Sequence, residues 1–189
     1  MKLDDAIDER RSIRKFSSKK VRWDDVLEAI DAAIKAPFAG NLNNLKFIIV
    51  QDQELKNQLA ECCQQDWIAD ATFIVAVCSN YKEIEKIYHD RTERYVRQHV
   101  GAAIENFLLK ITDLKLTSCW VGAYTDYNIK EILEIPEDIE VEALLPIGYS
   151  KPALKIRRPR KEPLEKIIRW DTWTKKKRPG LSAKDTRTW

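Results

Sequence analysis

Two short apolar runs constrain this chain most: Phe47, Ile48, Ile49 and Val50, then Thr72, Phe73, Ile74, Val75, Ala76, Val77 and Cys78. Neither alternates with polar residues. A strand with one buried face must alternate, because successive side chains leave opposite sides of the pleat. The two runs therefore predict strands buried on both faces, in a sheet covered by helices on each side. The sequence holds helices to do so. Val26, Leu27, Ile30, Ala33 and Ile34 repeat at helical spacing after Trp23 and stop before Pro37; Leu55, Leu59 and Cys62 mark another helix. Across 95–114, Val96, Val100, Ala103, Ile104, Phe107, Leu108 and Ile111 form a face broad enough for a central helix.

Shorter signals complete the pattern. Leu3, Ala6 and Ile7 predict a first helix, 118–121 and 141–147 two further strands, and 129–133 a helix ended near Pro136. About four strands and five helices in alternation indicate an α+β or α/β class with a mixed sheet. At 189 residues the chain fits one domain, read as 1–170, followed by a basic tail over 171–189. Trp170, Trp173 and Trp189 crowd this end beside Lys175, Lys176, Lys177 and Arg178. Because exposed indole is costly in water, Trp170 and Trp173 are expected to dock, either on their own chain or across a partner.

A net charge of +3 is too small to argue for nucleic acid. With no apolar run of about 18 residues and a charged, amphipathic start, the reading is a cytoplasmic protein without membrane segment or signal peptide. Cys62, Cys63, Cys78 and Cys119 lack paired metal spacing, so they are read as buried free thiols and no metal site is expected. His89 and His99 lie in charged helical sequence and are read as surface or interface residues, with no nucleophilic triad. If the chain is an enzyme, a cofactor carries the chemistry and no side chain is the nucleophile. The five glycines, Gly40, Gly101, Gly122, Gly148 and Gly180, never cluster, which argues against a dinucleotide fingerprint or a phosphate-binding P-loop.

One basic cluster stands out. Arg10, Arg11, Ser12, Ile13 and Arg14 place forked guanidinium donors and a hydroxyl where the first helix ends, an arrangement suited to phosphate oxygens. With Lys15 and Phe16 they resemble the opening signature of the nitroreductase family of FMN-dependent oxidoreductases. Further patches follow in the family's order: Ala36, Pro37, Phe38, Ala39, Gly40, Asn41 and Asn43; Gly101, Ala102, Ala103, Asn106, Leu108 and Leu109; Cys119, Trp120, Val121, Gly122 and Ala123; Leu145, Pro146, Ile147, Gly148 and Tyr149.

The resemblance implies a nitroreductase-like α+β fold, a central mixed and mainly antiparallel sheet of four to five strands flanked by helices, in a homodimer. It implies that Arg10, Arg11, Ser12 and Arg14 hold the FMN phosphate and ribityl chain. Pro37, Phe38, Ala39, Gly40, Asn41 and Asn43 would reach a flavin bound largely by the other subunit. Trp120, Val121, Gly122 and Ala123 would lie beside the ring, the N–H of Val121 or Gly122 meeting its N5, and Pro146, Ile147 and Gly148 would form another wall. Arg14 or another basic side chain would face the pyrimidine end. A second phosphate contact is sought among Arg157, Arg158, Arg160 and Lys161, with Arg160 and Lys161 favoured. Gly101 is read as a packing position and Gly122 as a close approach to the ring.

The implied activity is transfer of electrons from NADH or NADPH through FMN to nitroaromatics, quinones or another small flat acceptor, by a ping-pong cycle. Specialised branches that dehalogenate, oxidise azolines or fragment flavin are the alternative. A non-enzymatic binding module is the third reading. This chain departs from the family pattern at Phe38, where serine is common, at Asn43, often glutamine, at Asn44 and Leu45, where proline and tryptophan are frequent, and at His99, which replaces a frequent aspartate.

Overall fold

The computed structural model describes residues 1–151 and 161–179. The chain packs as two units, Met1–Leu154 and Lys155–Trp189. In the first, α1 (Leu3–Glu9) leads into an extended segment, α2 (Trp23–Ala33), β1 (Leu45–Val50), α3 (Gln53–Cys63), β2 (Phe73–Asn80), α4 (Lys82–Tyr88), α5 (Thr92–Asp113), β3 (Thr117–Ser118), α6 (Asp126–Ile132) and β4 (Ile139–Gly148). In the second, α7 covers Leu164–Ile167. Among the described residues no helix is long and apolar enough to cross a membrane.

The sheet order is β1-β2-β4-β3, and every ladder is antiparallel. The parallel component of the expected mixed sheet is a single bridge between Ser12 and Ser118. β2 shows why its sequence does not alternate. Phe73, Val75 and Val77 pack under α2 and α5 in one core, while Ile74, Ala76 and Cys78 face the other, with Leu59, Cys63 and Ile129 from α3 and α6. Both sets are buried, so both must be apolar.

Helix ends follow local chemistry. Asp24 and Asp25 occupy the first turn of α2, where the dipole favours negative charge. Asp52 caps α3 by accepting the Leu55 N–H at 2.9 Å. β4 carries one extra residue against β2, since Val77 faces Ala143 but Cys78 faces Val141. That residue, Glu142, turns a buried carboxylate toward α5, where it accepts from Ser79 Oγ at 2.5 Å and pairs with Arg97.

Two expectations need correction. The third strand, read over 118–121, is only two residues long, and Val121 adds a separate bridge to Leu144. Trp120 between them is 40% exposed, so the run does not stay in the sheet. The seven α-helices among the described residues exceed the five expected, α4 being an added one inside the first unit. In the second unit, Trp173 is 83% exposed with Arg169 over its ring at 5.6 Å, and Trp170 is half-buried with Arg178 over its ring at 5.9 Å.

Candidate functional site

The sequence-marked residues gather at two corners of the sheet. At the first, α1 ends at Arg10, whose N–H donates to Ala6 O, and the chain runs extended beside β3. Ile13 N–H donates to Ser118 O at 2.9 Å, and the buried side chains of Ile13 and Phe16 peg the segment down. Ser12 and Arg14 flank Ile13 and are therefore left at the surface. Arg14 lies 6.0 Å over the Trp67 ring and has no acidic partner among the described residues. Arg10 approaches Glu105 at 3.3 Å, a half-exposed pair of small energetic weight. Arg11 turns back, its Nη1 donating to Arg10 O at 2.6 Å.

Cys119 shows that three of these side chains converge. Burial raises the pKa of its thiol; the Arg14 charge, hydrogen bonds from Ser12 and Arg14, and the Arg10 charge pull it down. The adjacent Ser118 Oγ is buried with no hydrogen-bond partner among the described residues. Two arginines and an exposed hydroxyl thus stand together beside Cys119, with no carboxylate among the described residues to neutralise Arg14. This donor set suits an anion with several oxygens.

From Trp120 the chain leaves this corner along β4. Val121 exchanges both backbone hydrogen bonds with Leu144 at 3.0 Å, so its N–H is not free to meet a ligand. That removes one of the two N–H groups expected beside a flavin. Gly122 and Ala123 are exposed, and the Gly122 N–H has no acceptor among the described residues. Pro146, Ile147 and Gly148, expected to form another wall, are all buried, Ile147 between its neighbours in the sheet. Gly148 is small for a packing reason, since a Cβ there would lie 2.7 Å from Phe16 Cδ1.

The second corner is the 37–44 loop before β1. Gly40 has φ +61°, and a Cβ on it would approach the Tyr88 hydroxyl at 3.2 Å, so both conformation and space call for glycine. Asn41 follows at φ 55°, where asparagine is tolerated. Pro37, Gly40, Asn41 and Asn43 are exposed, while Phe38 and Ala39 are half-buried. Asn43 Oδ1 accepts the Leu45 N–H at 3.0 Å, fixing the entry into β1.

His99 of α5, expected at the surface or an interface, lies beneath this loop, 4% exposed within the single chain. Ala39 N–H donates to its Nε2 at 2.7 Å. Nε2 is then an acceptor, so the proton sits on Nδ1 and points to Asn44 Oδ1 at 3.3 Å. Asn44 Nδ2 passes the chain on to Asn80 O at 3.2 Å, and Phe38 stands edge-on to the imidazole at 5.3 Å. Burial holds the His99 pKa below 6.5, in accord with a neutral ring. Sequence reasoning missed this role, although His99 falls at helical spacing between Val96 and Ala103, on the buried stripe of α5.

The two corners are diagonally opposed. Leu45 of edge strand β1 is level with Ser79, whereas Ser118, beside Ser12, is level with Ile147 and Phe73 on the far side of the sheet. At about 4.8 Å between strands and about 3.4 Å per residue, they stand on the order of 25 Å apart. Lys161 is exposed in the second unit, and Arg157, Arg158 and Arg160 lie outside the described residues.

The sequence profile described as "Nitroreductase family" matches residues 7–149 of this chain. The chain belongs to the nitroreductase family. Among its relatives, a protein of Archaeoglobus fulgidus named for NADH dehydrogenase/NAD(P)H nitroreductase is 33% identical over 147 residues, covering 75% of this chain and 82% of that one. An iodotyrosine deiodinase of Thermotoga neapolitana is 25% identical over 190 residues, covering 90% and 98%. A solved nitroreductase family protein of Clostridium novyi NT superposes with a TM-score of 0.75 at 26% identity, over 93% of this chain and 96% of that one. The nitroreductase fold is thereby shared over nearly the full length of both.

Proposed function

We propose that this protein is an FMN-dependent oxidoreductase that draws electrons from NADH or NADPH and reduces a small flat acceptor, a nitroaromatic or quinone, as a homodimer with two equivalent sites. The observation that carries the reading is the anion-ready cluster of Arg10, Ser12 and Arg14 beside Ser118, in a chain of this family. The donor set fits a flavin mononucleotide phosphate, with Arg10, Ser12 and Arg14 holding it and Gly122 N–H available to the ring. Bound FMN supplies the hydride chemistry between nicotinamide and acceptor. The protein's part is to fix the phosphate, present a free N–H, and leave one face of the site open for donor and acceptor in turn.

The opposed corners support the dimer. Loop 37–44 stands too far from Arg14 to close on the same flavin, so a second copy supplies it. Exposed apolar side chains support this further: Trp23 and Leu27 of α2 and Ile34 at its C-cap are 45%, 53% and 42% exposed, and Leu3 and Ile7 of α1 67% and 47%. A surface of this kind fits burial against another chain.

The absorption spectrum of the purified protein, followed by anaerobic titration with NADH and NADPH, tests the reading. Bound flavin bleached by either nucleotide and recovered by menadione or nitrofurazone is expected; a colourless protein that takes up no FMN would refute it. Similarity to the deiodinase favours a second reading, reductive dehalogenation of a halogenated phenol. Flavin reduced by dithionite but by neither nucleotide, with halide released from such a phenol, would select it.

A further inference from the structure

We infer that His99 is a positioning residue for the flavin site: as a neutral imidazole protonated on Nδ1, it holds the 37–44 loop in the shape that the partner's flavin requires. This rests on the proposed role of that loop in FMN binding. No part of His99 is placed against the flavin itself.

The loop needs an external template. Asn41 follows Gly40 into the left-handed region, which a non-glycine residue populates sparsely, and the loop's tip is exposed. Its ties are few. Ala39 N–H, at the start of the loop's turn, has His99 Nε2 as its acceptor, and Asn44, at the loop's far end, receives His99 Nδ1–H. One ring therefore bonds both ends, and Phe38 rests against its edge. Asn44 is in turn locked to β2 through Asn80, whose N–H donates back to Asn44 O at 2.9 Å. The template thus runs from α5 through the loop to the sheet.

Only the neutral ring can do this. An imidazolium would present a second N–H to the Ala39 N–H, donor against donor, and the short Ala39 contact would be lost. The groups that face the ring are neutral: Phe38 and Ala39 from the loop and Asn44 before β1. Burial alone lowers its pKa, with no charged side chain of α5, β1, β2 or the loop acting on it. The buried carboxylate of Glu142 in β4 is satisfied by Arg97 of α5 and by Ser79 of β2.

Three variants separate the two ring bonds. Gln places an amide oxygen near Nε2 and keeps the acceptor for Ala39; Asn places its amide near Nδ1 and keeps only the link to Asn44; Ala keeps neither. FMN dissociation constants of the full-length protein, read by flavin fluorescence at pH 8, should stay within about threefold of the parent for His99→Gln. They should rise about tenfold or more for His99→Asn and His99→Ala, the effect of one buried donor left without its acceptor. The parent should also lose FMN affinity as pH falls below 6.5, while His99→Gln should not. Equal affinity in all four proteins would overturn the inference, as would equal losses in Gln and Ala. If His99→Ala does not fold, Gln against Asn decides it. A parent protein that binds no FMN would instead refute the proposed function.

Discussion

A buried imidazole, four thiols and a crowded glycine make separate demands on this protein. The neutral His99 contributes stability that is fully present above its unfolded pKa of 6.5, because burial depresses the folded value. The unfolded chain binds the extra proton first, so stability should fall as pH drops from 6.5 through the folded pKa and level off below it. Urea unfolding of the flavin-free protein between pH 8 and pH 5, with His99→Gln as reference, measures this component; a difference independent of pH would contradict it. The thiols give a second outcome. Burial pushes Cys63 up to about 12 and Cys78 up to about 11 and also raises Cys119 and Cys62, but Cys62 alone is half-buried and so within reach of a reagent. Iodoacetamide at pH 8, followed by mass spectrometry, should label Cys62 first and the others only after unfolding. Gly148→Ala forces a Cβ onto the buried Phe16 ring and should cost about 1–3 kcal/mol, partly recovered by adding Phe16→Leu. Denaturant titration of both variants checks it, and an unchanged midpoint in the single variant would remove the packing account of Gly148.

Element by element, what the sequence reveals is what one helix or strand imposes on its own residues. The stripes of α2 and α5 and the doubly buried run of β2 are legible because each face meets one environment throughout, whereas β1, expected to be buried on both faces, is an edge strand whose Phe47, Ile48 and Ile49 are only half-buried. α4 escapes that logic: of its seven residues only Ile84 is buried, and Ile87 is 54% exposed. β3 escapes it too, since its apolar continuation alternates a buried Val121 with an exposed Trp120. Gly101 in α5 yields a test of what covers that helix. A Cβ there would meet nothing within 4 Å in a single chain. Gly101→Ala in an isolated chain would then stabilise α5 by about 1 kcal/mol through helix propensity. If a second copy packs there, Gly101→Leu should lower the dimer association constant, measured by analytical ultracentrifugation; unchanged association would place the interface elsewhere.

The molecule as a whole has a property that neither corner has alone. Arg10, Ser12 and Arg14 were recognisable from guanidinium chemistry and chain order, and the 37–44 loop from its proline and glycine. Their separation across the sheet was not, because strand order and register arise from long-range pairing that leaves no local period. The bonding of the Val121 N–H to Leu144 and the crowding of Gly148 by Phe16 are hidden for the same reason: the partners are distant in sequence. Given the separation, the proposed flavin site would need two chains. The most direct test pairs two defective proteins, Arg10→Ala/Arg14→Ala and Asn41→Ala/Asn43→Ala, each expected to weaken FMN binding about a hundredfold or more through lost charged and polar contacts. In a mixed dimer, an intact basic corner from one chain meets an intact loop from the other. Co-expressed, differently tagged and purified as the mixed species, it should bind one FMN per dimer with parental affinity; a mixed dimer as defective as both parents would show that each flavin is held within a single chain.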